Sequence, residues 1–148
     1  LLKMQESQTD PENFLSAYKA SACLPAPHDI RQVRLPPRNL TFARTPYVPA
    51  EHFADIRQFH DGRDGLVYIR GTIRLPRAGS GRLLYGADGP VKVWVNGKEA
   101  GCAARATNPA IADSYSCKVD WRKGSNEVLF ALHTNRGQAW GVMARWQV

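Results

Sequence analysis

"GLVYIRGTIRLP", residues 65–76, decides the fold class. From Val67 to Leu75 the odd positions are apolar or small, while the even ones carry Tyr68, Arg70, Thr72 and Arg74. Alternation of period two sends successive side chains to opposite faces, so the stretch is a half-buried β-strand. Pro76 has no N–H to give to a ladder, and Gly79-Ser80-Gly81 supplies the turn that follows. Residues 82–86, 91–95, 98–102, 115–120, 127–133 and 139–146 also read as strands, parted by Gly, Pro and Asn. Asn96-Gly97 is a strong hairpin signal, because both residues tolerate the positive φ of a type I′ turn. Strands with no helices between them predict an all-β fold, an antiparallel sandwich or barrel.

The chain before this region has a different texture. Asp10 as N-cap, Pro11 at the first helical position and Glu12 at the positive end of the dipole predict a helix start. Phe14, Leu15, Tyr18 and Ala22 then recur at helical spacing, so one N-terminal helix is expected over 11–22. Six of the ten prolines fall between Pro25 and Pro49, which reads as extended chain wrapping a surface, with a short strand near Leu40 to Ala43. The expected division is a helix plus proline-rich approach over 1–50 and a β-sandwich over 51–148.

Bulk properties narrow the partners. The chain has 148 residues, 43% of them hydrophobic and 22% charged, enough for one core without staples. Its formal charge is +7, which favours acidic partners. The arginines are scattered from Arg31 to Arg145 without a block, unlike a nucleic-acid arm, so neither nucleic acid nor membrane is the expected partner. No run approaches the roughly 20 apolar residues of a membrane span. The chain begins Leu-Leu-Lys, and an excised or processed fragment is expected. Of the three cysteines, Cys102 and Cys117 flank one loop; either they close it, or all three are thiols.

"VKVWVNGKEA" (91–100) and "DWRKGSNEVLFALHTN" (120–135) resemble the galactose-binding-like jelly-roll domains, and "GLVYIRGTIRLP" fits the same pattern. In that pattern a strand runs into Val-Asn-Gly, and a later Lys-Gly-x-Asn turn leads into an apolar strand. The resemblance covers about residues 60–148. It implies a jelly-roll β-sandwich and a non-catalytic carbohydrate-binding module, or the sugar-binding domain of a glycoside hydrolase, with no catalytic residue to carry over. It also implies a polysaccharide partner, attachment to a catalytic domain, and a secreted or periplasmic setting.

Alternating strand directions sort the connecting loops to two ends. One end holds 77–81, Asn96-Gly97 and 122–126, which read as plain turns. The other collects 60–65, 87–90, 103–114 and 134–138, rich in the Asp, Asn and Arg side chains that bond sugar hydroxyls. The candidate ligand-binding residues are therefore Asp64, Asp88, Arg105, Asn108, Asp113, Asn135, Arg136 and Trp140. Each has a plainer alternative: Asp61, Asp64 and Asp88 could fix turns, and Arg105 and Arg136 could be solvated instead of pairing with a uronate carboxylate. Asp61, Asp64, Asp88 and Asp113 together could hold calcium, although "DGRDG" lacks a full calcium-loop pattern.

Among the tryptophans, parity assigns Trp121 and Trp146 to the core and puts Trp140 at the mouth of the candidate loops, closing the core as well. Trp94 lies opposite Val91, Val93 and Val95. It is either a sugar-stacking platform or a surface for Phe14 and Tyr18 of the expected helix to cover. The four histidines show no metal-ligand spacing, and no nucleophile elbow or phosphate-binding loop is present, so no enzyme is expected. Two functions remain: a carbohydrate-binding module for a plant or microbial polysaccharide, acidic in preference, or a structural domain that packs against a catalytic neighbour without binding sugar.

Overall fold

The computed structural model describes residues 13–105 and 107–148. Its strands in chain order are β1 (Tyr18–Ala20), β2 (Ala43–Arg44), β3 (Tyr47–Val48), β4 (Phe53–Asp55) and β5 (Leu66–Leu75). After these come β6 (Gly79–Ala87), β7 (Val91–Val95), β8 (Lys98–Ala103), β9 (Tyr115–Trp121), β10 (Gly124–His133) and β11 (Gly141–Gln147). One short α-helix, α1 (Arg57–His60), lies between β4 and β5, and 3-10 turns occur at Ile30–Gln32 and Pro49–Glu51. One sheet has the order β2-β1-β5-β10-β7-β8, the other β3-β4-β11-β6-β9, and all the pairings are antiparallel. The molecule is the all-β sandwich that the alternation in 67–75 predicts.

The odd residues of β5 point into the sandwich, where Ile69 and Ile73 meet Leu83, Tyr85, Val93, Phe130, Leu132 and Val142 in one cluster. β10 lies at the middle of its sheet, paired on both sides, and accordingly reads as a continuous apolar run from Val128 to Leu132. Asn96 and Gly97 join β7 to β8 with φ of 52° and 80°, both positive as a type I′ turn requires.

The outer face of the six-stranded sheet carries a second, smaller core. Ile30 and Val33, with Leu24, Ala26, Leu40 and Phe42, pack on Leu66, Tyr68, Trp94, Leu129 and Ala131. The proline-rich segment is thus a strap laid across the sheet. Polar latches hold it down: Lys92 Nζ donates to the carbonyls of Arg31 and Val33, both at 2.8 Å, and Tyr68 Oη donates to Arg34 O at 2.6 Å. Lys92 is buried and also meets the Glu99 carboxylate at 3.2 Å, so its charge is paired as a buried amine requires.

Two expectations need correction here. The helix over 11–22 is absent from its described part: Phe14 bridges Arg145, and residues 18–20 form β1 between β2 and β5. Tyr18 and Ala20 are buried while Lys19 is exposed, so period two overrides the helical spacing once β5 offers a free edge. The Asp10-Pro11 start signal lies outside the described residues. Trp94 is indeed covered, but by the strap and not by Phe14 and Tyr18. Tyr18 enters the main core, and Phe14 stacks on His52 at 3.9 Å between ring centroids.

Cys23, Cys102 and Cys117 are all free thiols. Cys102 pairs with Lys92 on the exposed side of β8, whereas Cys117 points into the core, so strand parity sends the two apart. Burial pushes the thiols of all three upward from the ordinary range, which favours the protonated form.

Candidate functional site

The loops sort to two ends, as antiparallel alternation requires, and the two ends differ in kind. At the hairpin end, Asn126 is fully buried and ties two turns together. Its Nδ2 donates to the carbonyls of Arg122 and Gly124, and its Oδ1 accepts from Arg122 N and from Asn96 Nδ2. Asn96 Oδ1 accepts from Glu127 N. Both asparagine side chains are thus engaged within the turns themselves, beside a cleft of about 220 Å³ between β8 and β9.

At the other end Asp88 does something the sequence does not suggest. It is buried, and its carboxylate accepts from two successive amides: Trp140 N–H at 2.7 Å and Gly141 N–H at 3.1 Å. The residue clamps the entry into β11 from the β6–β7 turn. Burial pushes its carboxyl above the usual range, against the pull of those two amides. Gly141 is required at the clamp, since its φ is 155° and a Cβ there would overlap the carbonyl of Ala54.

The clamp positions Trp140 with 52% of its surface exposed, so the ring does not close the core as parity suggested. The Arg57 guanidinium sits 3.8 Å from the ring centroid, held in place by Asp55, to which it donates at 2.6 Å. Hydrogen bonding from Arg57 draws the Asp55 carboxyl below the ordinary range. Beside Trp140 opens a cleft of about 250 Å³, lined by Glu51, Phe53, Asp88, Asn108, Pro109, Ala110, Trp140 and Met143. Thr107 Oγ1 donates to Ala87 O at 2.9 Å, which ties the Asn108 loop to the turn that carries Asp88. Besides polar Asn108 and Glu51 the lining includes apolar Phe53, Pro109, Ala110 and Met143, and exposed Ile111 stands on the Asn108 loop.

Of the eight candidates, Asp88, Asn108 and Trp140 share this cleft. Asp64, Asn135 and Arg136 form a neighbouring group at the same end. Arg136 N donates to Asp64 Oδ1 at 3.3 Å, and Asn135 and Arg136 have φ of 51° and 58°. Buried Thr134 and His60 brace that group: Thr134 Oγ1 donates to Arg63 O and accepts from Gly65 N, and His60 meets Ala139 O at 2.7 Å. Asp113 stands apart, forked with Arg145 at 2.8–3.0 Å. Arg105 is exposed on the β8–β9 loop. The four aspartates of the calcium reading are therefore dispersed, and among the described residues no group of three or more His, Cys, Asp or Glu converges. Glu51, Phe53, Pro109, Ala110 and Met143 of the cleft, and Arg57 on the Trp140 ring, were not among the candidates.

No family model matches the chain, and no curated protein matches it in sequence. Solved structures do match in fold. A family 35 carbohydrate-binding module from an environmental isolate is 13% identical with a TM-score of 0.52, over 90% of this chain and 88% of that one. A β-glycosidase from Bacteroides vulgatus is 14% identical with a TM-score of 0.53, over 90% of this chain and 20% of that one. A β-glucosidase from Kluyveromyces marxianus, solved with glucose, is 13% identical with a TM-score of 0.51, over 94% of this chain and 17% of that one. The chain thus spans a fifth or less of either glycosidase and nearly all of the module. Its fold is the β-sandwich that these structures share with it.

Proposed function

We propose that this chain is a non-catalytic carbohydrate-binding domain that takes a sugar ring in the Trp140 cleft. The observation that carries the reading is the clamp. A buried carboxylate is committed to two backbone amides, and the outcome is a half-exposed indole beside the Asn108 amide and the Glu51 carboxylate. A pyranose needs an aromatic wall for its C–H face and planar polar groups for its hydroxyls, and this cleft combines them. Arg57 and Asp55 fix the ring, so little is lost in ordering it on binding.

Catalysis is disfavoured by the same geometry. Glu51 and Asp88 are two carboxylates in one cleft, as a glycosidase needs, but both Asp88 oxygens accept backbone amides, which commits that carboxyl to holding the entry of β11. The fold neighbours add an expectation of context: attachment to a catalytic domain, and an extracellular setting. Among the described residues no helix is long and apolar enough to cross a membrane.

Retention on a panel of immobilised polysaccharides tests the proposal. Wild type should be retained on at least one. Trp140→Ala and Asn108→Ala should abolish retention on neutral polysaccharides, while Lys98→Ala at the hairpin end should leave it intact. Absence of retention on every glycan would favour the alternative, a domain that packs on a catalytic neighbour and binds no sugar.

A further inference from the structure

Among the described residues, the strap leaves part of the outer face of the six-stranded sheet uncovered, and three cations stand in line there. Arg44 on β2 faces Lys19 on β1, and Lys19 faces Arg70 on β5, in direct register across three adjacent strands. Neighbouring strands are about 4.8 Å apart, so the row places a positive charge at each step. Directly opposed like charges destabilise a sheet. None of the three forms an ion pair with a described residue. The guanidinium of Arg70 is pre-oriented on the ring of Phe42, 4.2 Å from its centroid. A groove of about 340 Å³ opens beside Lys19 and Arg70, lined also by Ala17, Gly71, Thr72 and Glu127, with Arg44 one strand beyond it. It continues at Arg70 and Glu127 into a second groove of about 460 Å³ under Arg38 and Leu40 of the strap.

We propose that this face is a second binding site, for a carboxylate-bearing polysaccharide laid across β2, β1 and β5. The proposal rests on the glycan-binding reading for its ligand class, and not on the Trp140 cleft. Row and groove divide the work. Lys19, Arg44 and Arg70 meet spaced carboxylates, Arg70 through its planar fork. Thr72 and Glu127 offer a hydroxyl and a carboxylate acceptor to the sugar hydroxyls between the charges. Glu127 also argues against a phosphate-dense polymer, which would meet its negative charge without hydroxyls to offer. Among the described residues no bare aromatic ring lines the groove for bases to stack on, since Arg70 already covers Phe42. The cleft, by contrast, is lined by Glu51 and Asp88 and suits a neutral ring.

Calorimetric titration of the whole chain with an oligogalacturonate tests this, with a neutral galactan oligomer and oligo-dT of equal charge as comparisons. The oligogalacturonate should bind best, and weaken as salt rises, since exposed charges are screened beyond roughly 10 Å at 0.1 M. Lys19→Gln with Arg44→Gln should weaken it about tenfold or more, as loss of two charge-assisted contacts implies. The same double variant should melt no lower than wild type, because it relieves like-charge opposition. Trp140→Ala should leave oligogalacturonate binding unchanged. No binding by wild type, tighter binding of oligo-dT, or binding that survives the double substitution would overturn the proposal. Loss of binding in Trp140→Ala alone would place the acidic ligand in the cleft and overturn it too.

Discussion

Replacing Asp88 tests the link between packing and site most severely. In Asp88→Ala the amides of Trp140 and Gly141 lose a charged acceptor at 2.7 and 3.1 Å, in a place water reaches poorly. Leaving buried donors unmet costs about 1–3 kcal/mol each, so the expected loss is about 3 kcal/mol. For a domain of this size that lowers Tm by roughly 6–12 °C. Asp88→Asn keeps one acceptor and turns an NH₂ toward the other amide, so it should fall between Ala and wild type. The pH dependence has a definite sign. Burial raises the folded-state pKa of Asp88, so the folded chain binds this proton more readily than the unfolded one. Its contribution to stability is then full below the unfolded value of about 3.9 and declines as pH rises through the folded value. The advantage of wild type over Asp88→Asn should therefore be larger in acid than at neutrality. Thermal melts followed by circular dichroism across that range measure it. A Tm shift under about 1 °C for Asp88→Ala, or an advantage that grows with pH, would refute the reasoning.

Other perturbations separate the parts of the molecule. Trp140→Ala should cost under about 1 kcal/mol despite the size of the ring, because half of it is exposed; a chemical melt checks this. Trp94→Ala, under the strap, should cost about 3–5 kcal/mol by the same assay. Lys92→Met removes the donor shared by the carbonyls of Arg31 and Val33, and amide hydrogen exchange over 24–42 should rise while the sandwich stays protected. Uniform acceleration over the whole chain would argue against a separable strap.

The β-sandwich was legible because the strands that define it carry their own evidence. β5 alternates cleanly, and Asn96-Gly97 can hardly be other than a tight hairpin. Direction of the strands followed from these, and with it the gathering of Asp88, Asn108 and Trp140 at one end. What was hidden depends on contacts remote in sequence. Residues 13–22 carry apolar spacing compatible with a helix, and it is the free edge of β5 that makes Tyr18, Lys19 and Ala20 a strand. Trp94 announced that something must cover it, but nothing local distinguishes a helix from a strap. Phe53, Arg57 and Glu51 come from short elements with weak patterns; Asp55 two residues before Arg57 was the one local hint, as a carboxylate placed to receive that guanidinium. Asp88 before Gly89 looked like a turn residue, and its partners lie 52 and 53 residues away.

The central claim, that a glycan is held at the Trp140 cleft, is tested most directly by following the backbone amide and indole N–H resonances during titration with a neutral oligosaccharide that the panel retains. The account predicts shifts at Glu51, Asn108, Ala110, Trp140 and Gly141, with the Trp140 indole among the largest, and silence at Asn96, Gly97 and Asn126. Shifts confined to those hairpin residues, with the Trp140 indole unmoved at saturation, would contradict it.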